Sequence, residues 1–341
     1  MGGSLSHNAR HAHSLRSLIL VVAGLAALGL TAFAVGSVAA VRAADPAALP
    51  PGDGKVSTTA AKRGYVFSCG GMVGGGGPQA AGSWIHGTTW DSTAKITVDG
   101  AVAWKSVRRI VVTGAKRSVT GNGLPSHRTG VFPVATTDDA YAIDRNPNSI
   151  AAQSGADSLL AAPVAAAKPS CIGGGPIGVM LTGAVLFNAL DAEGRDAPAH
   201  EVLDRCGGHP ERSGAYHYHS LSPCLAVGTA TTEHSPLVGY ALDGFDIYGP
   251  RGDGGKLLST ADLDACHGTT DTISWNGKQV RIYHCVLTAD YPYSRGCYRG
   301  TPVRTRGTAG AGGPPGPGAG LPGLWPPPGG GPGAGGPPLR A

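Results

Sequence analysis

Ile177-Gly178-Val179-Met180-Leu181-Thr182-Gly183-Ala184-Val185-Leu186-Phe187 recurs 61 residues later as Val238-Gly239-Tyr240-Ala241-Leu242-Asp243-Gly244-Phe245-Asp246-Ile247-Tyr248. Gly, Leu, Gly, an aliphatic and an aromatic residue keep their places. Farther along, Leu203-Asp204-Arg205-Cys206-Gly207-Gly208 is matched by Leu263-Asp264-Ala265-Cys266-His267-Gly268 at an offset of 60, and Tyr216-His217 by Tyr283-His284 at 67. A Cys follows each, at 224 and 297. Self-similarity in a fixed order points to two copies of one unit that share a core. The expected fold is mainly β with short helices, a β-rich α+β arrangement of two pseudo-repeated halves, about 172–230 and 235–300.

Turn chemistry supports the β reading. Asp243-Gly244 lies between apolar stretches, where Gly accepts the positive φ of a tight hairpin turn. Thr182-Gly183 holds the equivalent place, and Asp99-Gly100 and Asn276-Gly277 repeat the signal between strand-like runs. Short helices are expected before each Leu-Asp-x-Cys element, with Asp196 and Ser259 or Thr260 in cap positions and Pro198 early in the first.

Tyr216-His217-Tyr218-His219 carries the chemistry. On a strand, alternate side chains share a face, so His217 and His219 project together and the two Tyr project oppositely. His284 shares its face with Val280 and Ile282 and points inward. Paired imidazoles can grip a transition metal, so His217, His219 and His284 are the first candidate ligands, with His209 and His267 next. His127 and His234 could be ligands but are read first as satisfying loop backbone. Asp204 and Asp264 are read as capping or salt-bridging, or as partners that orient a ligand His. Asp243, expected in its turn, and Asp246, expected on a solvent face, are with Glu201 the acids available for catalysis without metal.

The chain has seven Cys. The repeat suggests Cys206 with Cys224 and Cys266 with Cys297, each closing a loop around its own Tyr-His strand. Cys69 and Cys171 form the third pair, and Cys285 is left over beside His284, read first as a buried thiol and otherwise as a soft metal ligand or redox-reactive group.

The ends are legible by composition. A basic lead, an apolar run from Leu18 to about Val41 and Val41-Arg42-Ala43 make residues 1–44 a cleaved signal peptide or an uncleaved anchor. Residues 45–63 read as a linker, 64–303 as the domain, and 304–341 as a Pro/Gly-rich disordered tail. Within 64–303 there are 18 Lys+Arg against 20 Asp+Glu, so the folded part is not basic and has no footprint for nucleic acid. No Walker loop or Gly-x-Ser-x-Gly elbow occurs, and no nucleotide cofactor is expected.

These elements together resemble the YHYH-domain proteins, found mostly in exported proteins. The resemblance rests on Cys206-Gly207-Gly208-His209, Tyr216 to His219, Ser222-Pro223-Cys224, His234 to Tyr240, Asp243 to Gly249, Leu263 to Gly268, Tyr283-His284 and Gly296-Cys297. It extends over roughly Trp84 to Val303 and implies a domain and a location, extracellular or in the cell envelope, rather than a reaction. Where some members repeat Tyr-His-Tyr-His, this chain reads Tyr283-His284-Cys285-Val286.

The resulting expectation is an exported protein that binds Cu or Zn through His of the Tyr-His strands; whether it is catalytic stays open. One alternative is a cell-envelope module that binds a glycan or protein without metal, given Tyr concentrated in the later half. Another is a metal-independent hydrolase using His as base. The partner is then an unknown small molecule or envelope component, with membrane contact only through an uncleaved N-terminal segment.

Overall fold

The computed structural model describes residues 44–70, 82–134, 146, 148–275 and 278–303. The expected signal or anchor segment up to residue 43 and the tail at 304–341 lie outside them, as does the Asn276-Gly277 turn. Among the described residues, no helix is long and apolar enough to cross a membrane.

The chain is mainly β. β1 (Val56–Ser57) pairs in parallel with β2 (Val66–Phe67), and β3 (Ile85–His86) pairs with β4 (Thr89–Trp90). β5 (Arg108–Thr113), β6 (Lys116–Gly121) and β7 (Gly155–Leu160) form an antiparallel three-stranded sheet. The other strands are β8 (Pro176–Met180), β9 (Val185–Phe187), β10 (Gly208–Pro210), β11 (Tyr216–Tyr218), β12 (Leu237–Ala241), β13 (Asp246–Tyr248), β14 (Gly268–Trp275) and β15 (Lys278–Val286). They make one eight-stranded sheet in the order β10-β11-β9-β8-β12-β13-β15-β14. Among the described residues, helix is confined to α1 (Ala197–His200), with Pro198 in its first turn, and to short 3-10 turns.

That order reads alike in both directions from its centre. Outward from the antiparallel β8–β12 pair, each side meets an antiparallel hairpin partner, then a parallel strand, then an antiparallel edge strand. The registers correspond too. Tyr218 stands opposite Leu186 and Gly208 on one side, and Cys285 stands opposite Ile247 and Gly268 on the other. One core cluster takes side chains from both sides, including Ile177, Leu186, Tyr218, Ile247 and Cys285.

Local chemistry explains this geometry. Gly183 and Gly244 adopt φ of 99° and 90° in the hairpin turns, where an L side chain is strained. Gly208 and Gly268 are glycine for another reason, because a Cβ there would overlap the rings of Tyr216 and Tyr283. Asp204 Oδ1 accepts the N–H of Cys206 and Gly208 and the Tyr216 hydroxyl, and Asp264 Oδ1 does the same for Cys266, Gly268 and Tyr283. Each Leu-Asp-x-Cys turn thus clamps its Tyr-His strand from the tyrosine face. The disulfides Cys206–Cys224, Cys266–Cys297 and Cys69–Cys171 all form, and Cys285 is free and buried.

Several expectations need correction. Asp99-Gly100 does not join a hairpin; Val98 bridges to Asp204 and Val102 to Thr129, so each flank finds a different partner. Residues 45–63, expected as a linker, pack onto the domain. Leu49 is buried and bridges Trp90, and Gly52 N–H donates to Asp196. Asp243 does occupy its turn, but it is fully buried, with both carboxylate oxygens on the Arg295 guanidinium at 3.0 and 2.8 Å. Asp246 faces inward rather than to solvent, because β6 covers it and brings Arg117 to 3.4 Å.

Candidate metal centre

The histidine face of β11 is where the sheet, an edge strand and α1 meet. His217 and His219 project together, as alternation requires, with their Nε2 atoms 3.0 Å apart. β10 places His209 directly opposite His217, and its Nε2 lies 3.4 Å from that of His219. Glu201, at the C-terminal end of α1, completes the group, its Oε2 at 3.0 Å from His209 Nε2 and 2.9 Å from His219 Nε2. All four side chains are buried.

The far sides of the rings are held. His219 Nδ1 lies 2.5 Å from the Asn188 carbonyl and His217 Nδ1 3.0 Å from the Ala215 carbonyl, so in each the Nδ1–H donates and Nε2 presents a lone pair. Phe187 stacks on His217 at a centroid distance of 3.9 Å. Asn146 Nδ2 donates to His209 Nδ1 at 3.4 Å, so in this ring the far nitrogen accepts. Two lone pairs therefore face each other beside a carboxylate oxygen that has no hydrogen-bond partner of good geometry among the described residues. Such a group is stable only around positive charge.

The titration of the cluster reports the same demand. Burial pushes the Glu201 carboxyl up, but the His209 and His219 imidazoles outweigh it and hold it well below the ordinary carboxylate range. Burial works against protonation of His219, yet Glu201 raises its pKa overall. Burial and the two neighbouring imidazoles push His217 well below its usual value, toward the neutral form.

The spacing suits a transition ion. Ligands about 2.05 Å from a metal at tetrahedral corners lie roughly 3.3 Å from one another; the three imidazole donors lie within 4.8 Å of one another, with the His219 contacts at 3.0 and 3.4 Å, and Glu201 stands beside His209 and His219. Three imidazoles with one carboxylate are a donor set for Zn or Cu.

The remaining predicted ligands lie elsewhere. His284 is not in this group: four strands separate β15 from β11, roughly 20–25 Å at the usual inter-strand spacing. It lies against His234 and Tyr248, at ring distances of 5.0 and 4.9 Å. A three-His site shared between the halves is thereby excluded. His267 is also apart, its Nε2 at 3.0 Å from the Thr288 hydroxyl, and burial with nearby Arg295 lowers its pKa to about 3. His127 packs by the Cys206–Cys224 bridge and hydrogen-bonds the Tyr218 hydroxyl; the oxidised sulfurs offer no thiolate.

Glu201 is the participant that sequence reasoning did not place among the ligands. Nothing in its spacing from Tyr216–His219 announces it, since a parallel strand and a disulfide loop bring the two together. The sole signal is an acidic residue just ahead of the apolar pair Val202-Leu203.

No curated protein and no solved structure matches this chain. Residues 158–256, from β7 through His209, the Tyr216–His219 strand and His234, match the family model described as YHYH protein, and the chain therefore carries a YHYH domain.

Proposed function

We propose that this is an exported metal-binding protein whose YHYH domain holds one transition ion, Cu or Zn, between His209, His217, His219 and Glu201. The observation that carries the reading is the convergence of two lone-pair Nε2 atoms and an unpartnered carboxylate oxygen in a buried space. A proton on His219 answers the charge in part, 2.9 Å from Glu201 Oε2. A central cation answers the Glu201 charge and the lone pairs of His217 and His219 together.

Four protein donors, all buried, make a closed site of the kind that stabilises a fold rather than one that turns over substrate. The ion would tie α1, β10 and β11 together. Export is supported by the apolar N-terminal run and by three disulfides, which persist in oxidising compartments.

The test is metal analysis of the full chain purified without an affinity tag. We expect one equivalent of Cu or Zn that disappears in the His217→Ala/His219→Ala variant while all three disulfides remain. Metal retained at this site in the double variant sinks the assignment.

A further inference from the structure

We propose that the second half of the domain carries its own divalent-metal site, formed by His234, Asp271 and His284 and open to a cavity. It shares no residue with the closed site and does not depend on it.

His284 occupies on β15 the register place that His217 holds on β11. Its Nδ1–H likewise donates to the carbonyl two residues back, Ile282, at 3.3 Å. His234, in the segment leading into β12, directs its Nδ1–H to the Ser235 carbonyl at 2.7 Å. Both rings are thus held in the tautomer that leaves Nε2 bare. Both Nε2 atoms are buried and have no hydrogen-bond partner among the described residues. Asp271, on β14, supplies the third donor, its Oδ2 at 3.9 Å from His234 Nε2. The three donor atoms lie within 4.8 Å of one another.

A histidine pair satisfied by protein alone would aim at least one Nε2 at an acceptor. Here both aim at each other's surroundings, with Tyr248 wedged against both rings at 5.2 and 4.9 Å. Backbone carbonyls on the outer nitrogens are the usual support for metal-ligating imidazoles. His234 and Asp271 present their donors 3.9 Å apart, a wider spread than in the closed site.

The two sites differ in access. His234 lines a cavity of about 960 Å³ whose walls also include Tyr248, Asp253, Thr272, Arg117 and Asp246. Three protein donors leave at least one coordination position, and of the three residues it is His234 that lines the cavity. Two imidazoles and a carboxylate with an open position are a donor set for Zn(II), Fe(II) or Mn(II), with water or a small ligand from the cavity as the remaining partner.

The experiment is equilibrium dialysis of the full chain against Zn(II) alone, for wild type, His234→Gln and Asp271→Asn. Both altered residues are partly exposed, and near-ultraviolet circular dichroism checks that each variant is folded. One Zn(II) equivalent should be lost, or its affinity should fall at least 10-fold, in either folded variant. The His217→Ala/His219→Ala variant should keep that equivalent, which separates failure here from failure of the closed site. Unchanged stoichiometry and affinity in both His234→Gln and Asp271→Asn overturns the proposal. With Co(II) as a second probe, azide should shift the visible spectrum of wild type but not of His234→Gln; an identical shift in both also overturns it.

Discussion

The two sides of the central sheet place a histidine at the same register point and surround it differently. On the first side His217 has His219 two residues on and His209 across the strand pair, and α1 delivers Glu201. On the second side those places hold Val286 and Thr269, so His284 meets His234 and Asp271 instead. One site is sealed and the other borders a cavity. The lesson is that a shared backbone fixes where an imbalance of donors can arise, while a few side chains decide whether the result is closed or open.

The turns differ in the same way. The first hairpin has Thr182, hydrogen-bonded to Tyr218, where the second has Asp243 locked to the fully buried Arg295. Arg295 also reaches the Cys285 sulfur and the Cys297 carbonyl. Removing one partner of a buried ion pair leaves an uncompensated charge, so Arg295→Ala should cost about 3–5 kcal/mol. Denaturant melts measure it, and a cost below about 1 kcal/mol would show that the second side does not rely on this pair.

Metal removal sharpens the contrast between the sites. An ion present at 100–1,000 times its dissociation constant stabilises by about 3–4 kcal/mol. Stripping the closed site should therefore lower Tm by roughly 5–15 °C, whereas stripping the open site should be faster and move Tm less. Scanning calorimetry with and without chelator checks this; no change in Tm speaks against an ion among His209, His217, His219 and Glu201.

Acid should destabilise the second side through His267. His267 holds the place of Gly207, and both have positive φ, 66° and 67°. The folded state keeps His267 neutral down to about pH 3, whereas the unfolded chain protonates it near the ordinary imidazole value of 6.5. The unfolded state binds the extra proton throughout that window. Stability is thus full above about pH 6.5 and falls as pH drops toward 3, by about 3 kcal/mol between pH 7 and 4 from this group. His267→Gly should flatten that slope, and a slope unaltered by the substitution would refute the attribution.

The smallest effects separate the two tyrosine clamps. Tyr216 donates its hydroxyl toward both Asp204 oxygens at 2.9 and 3.0 Å, while Tyr283 makes one contact with Asp264 at 3.2 Å. Tyr216→Phe should cost about 1–3 kcal/mol and Tyr283→Phe about 1 kcal/mol or less. Equal losses would mean that the two turns hold their strands alike.

Much of this was readable in the chain. Spacing of Gly, Leu-Asp-x-Cys and Tyr-His elements indicated the strands, their turns and which cysteines pair, because those features depend on local periodicity and on the order of residues. The common face of His217 and His219 follows from strand alternation alone. His209 was a lesser candidate and proved central, since antiparallel pairing of β10 with β11 sets it opposite His217. His234 looked like a loop histidine satisfying backbone, and one of its nitrogens does so; its other nitrogen acquires meaning only beside His284.

What the sequence determined by itself is therefore the β-rich class, the pairing of its cysteines, and the residue types that can bind metal. The tertiary structure alone decided how those residues are grouped. Strand order separates His217 from His284 by four strands and carries Glu201 and Asp271 to different histidines. The reason is physical: alternation and turn chemistry act within a strand or its hairpin, whereas donor convergence depends on non-local pairings that no short-range pattern encodes.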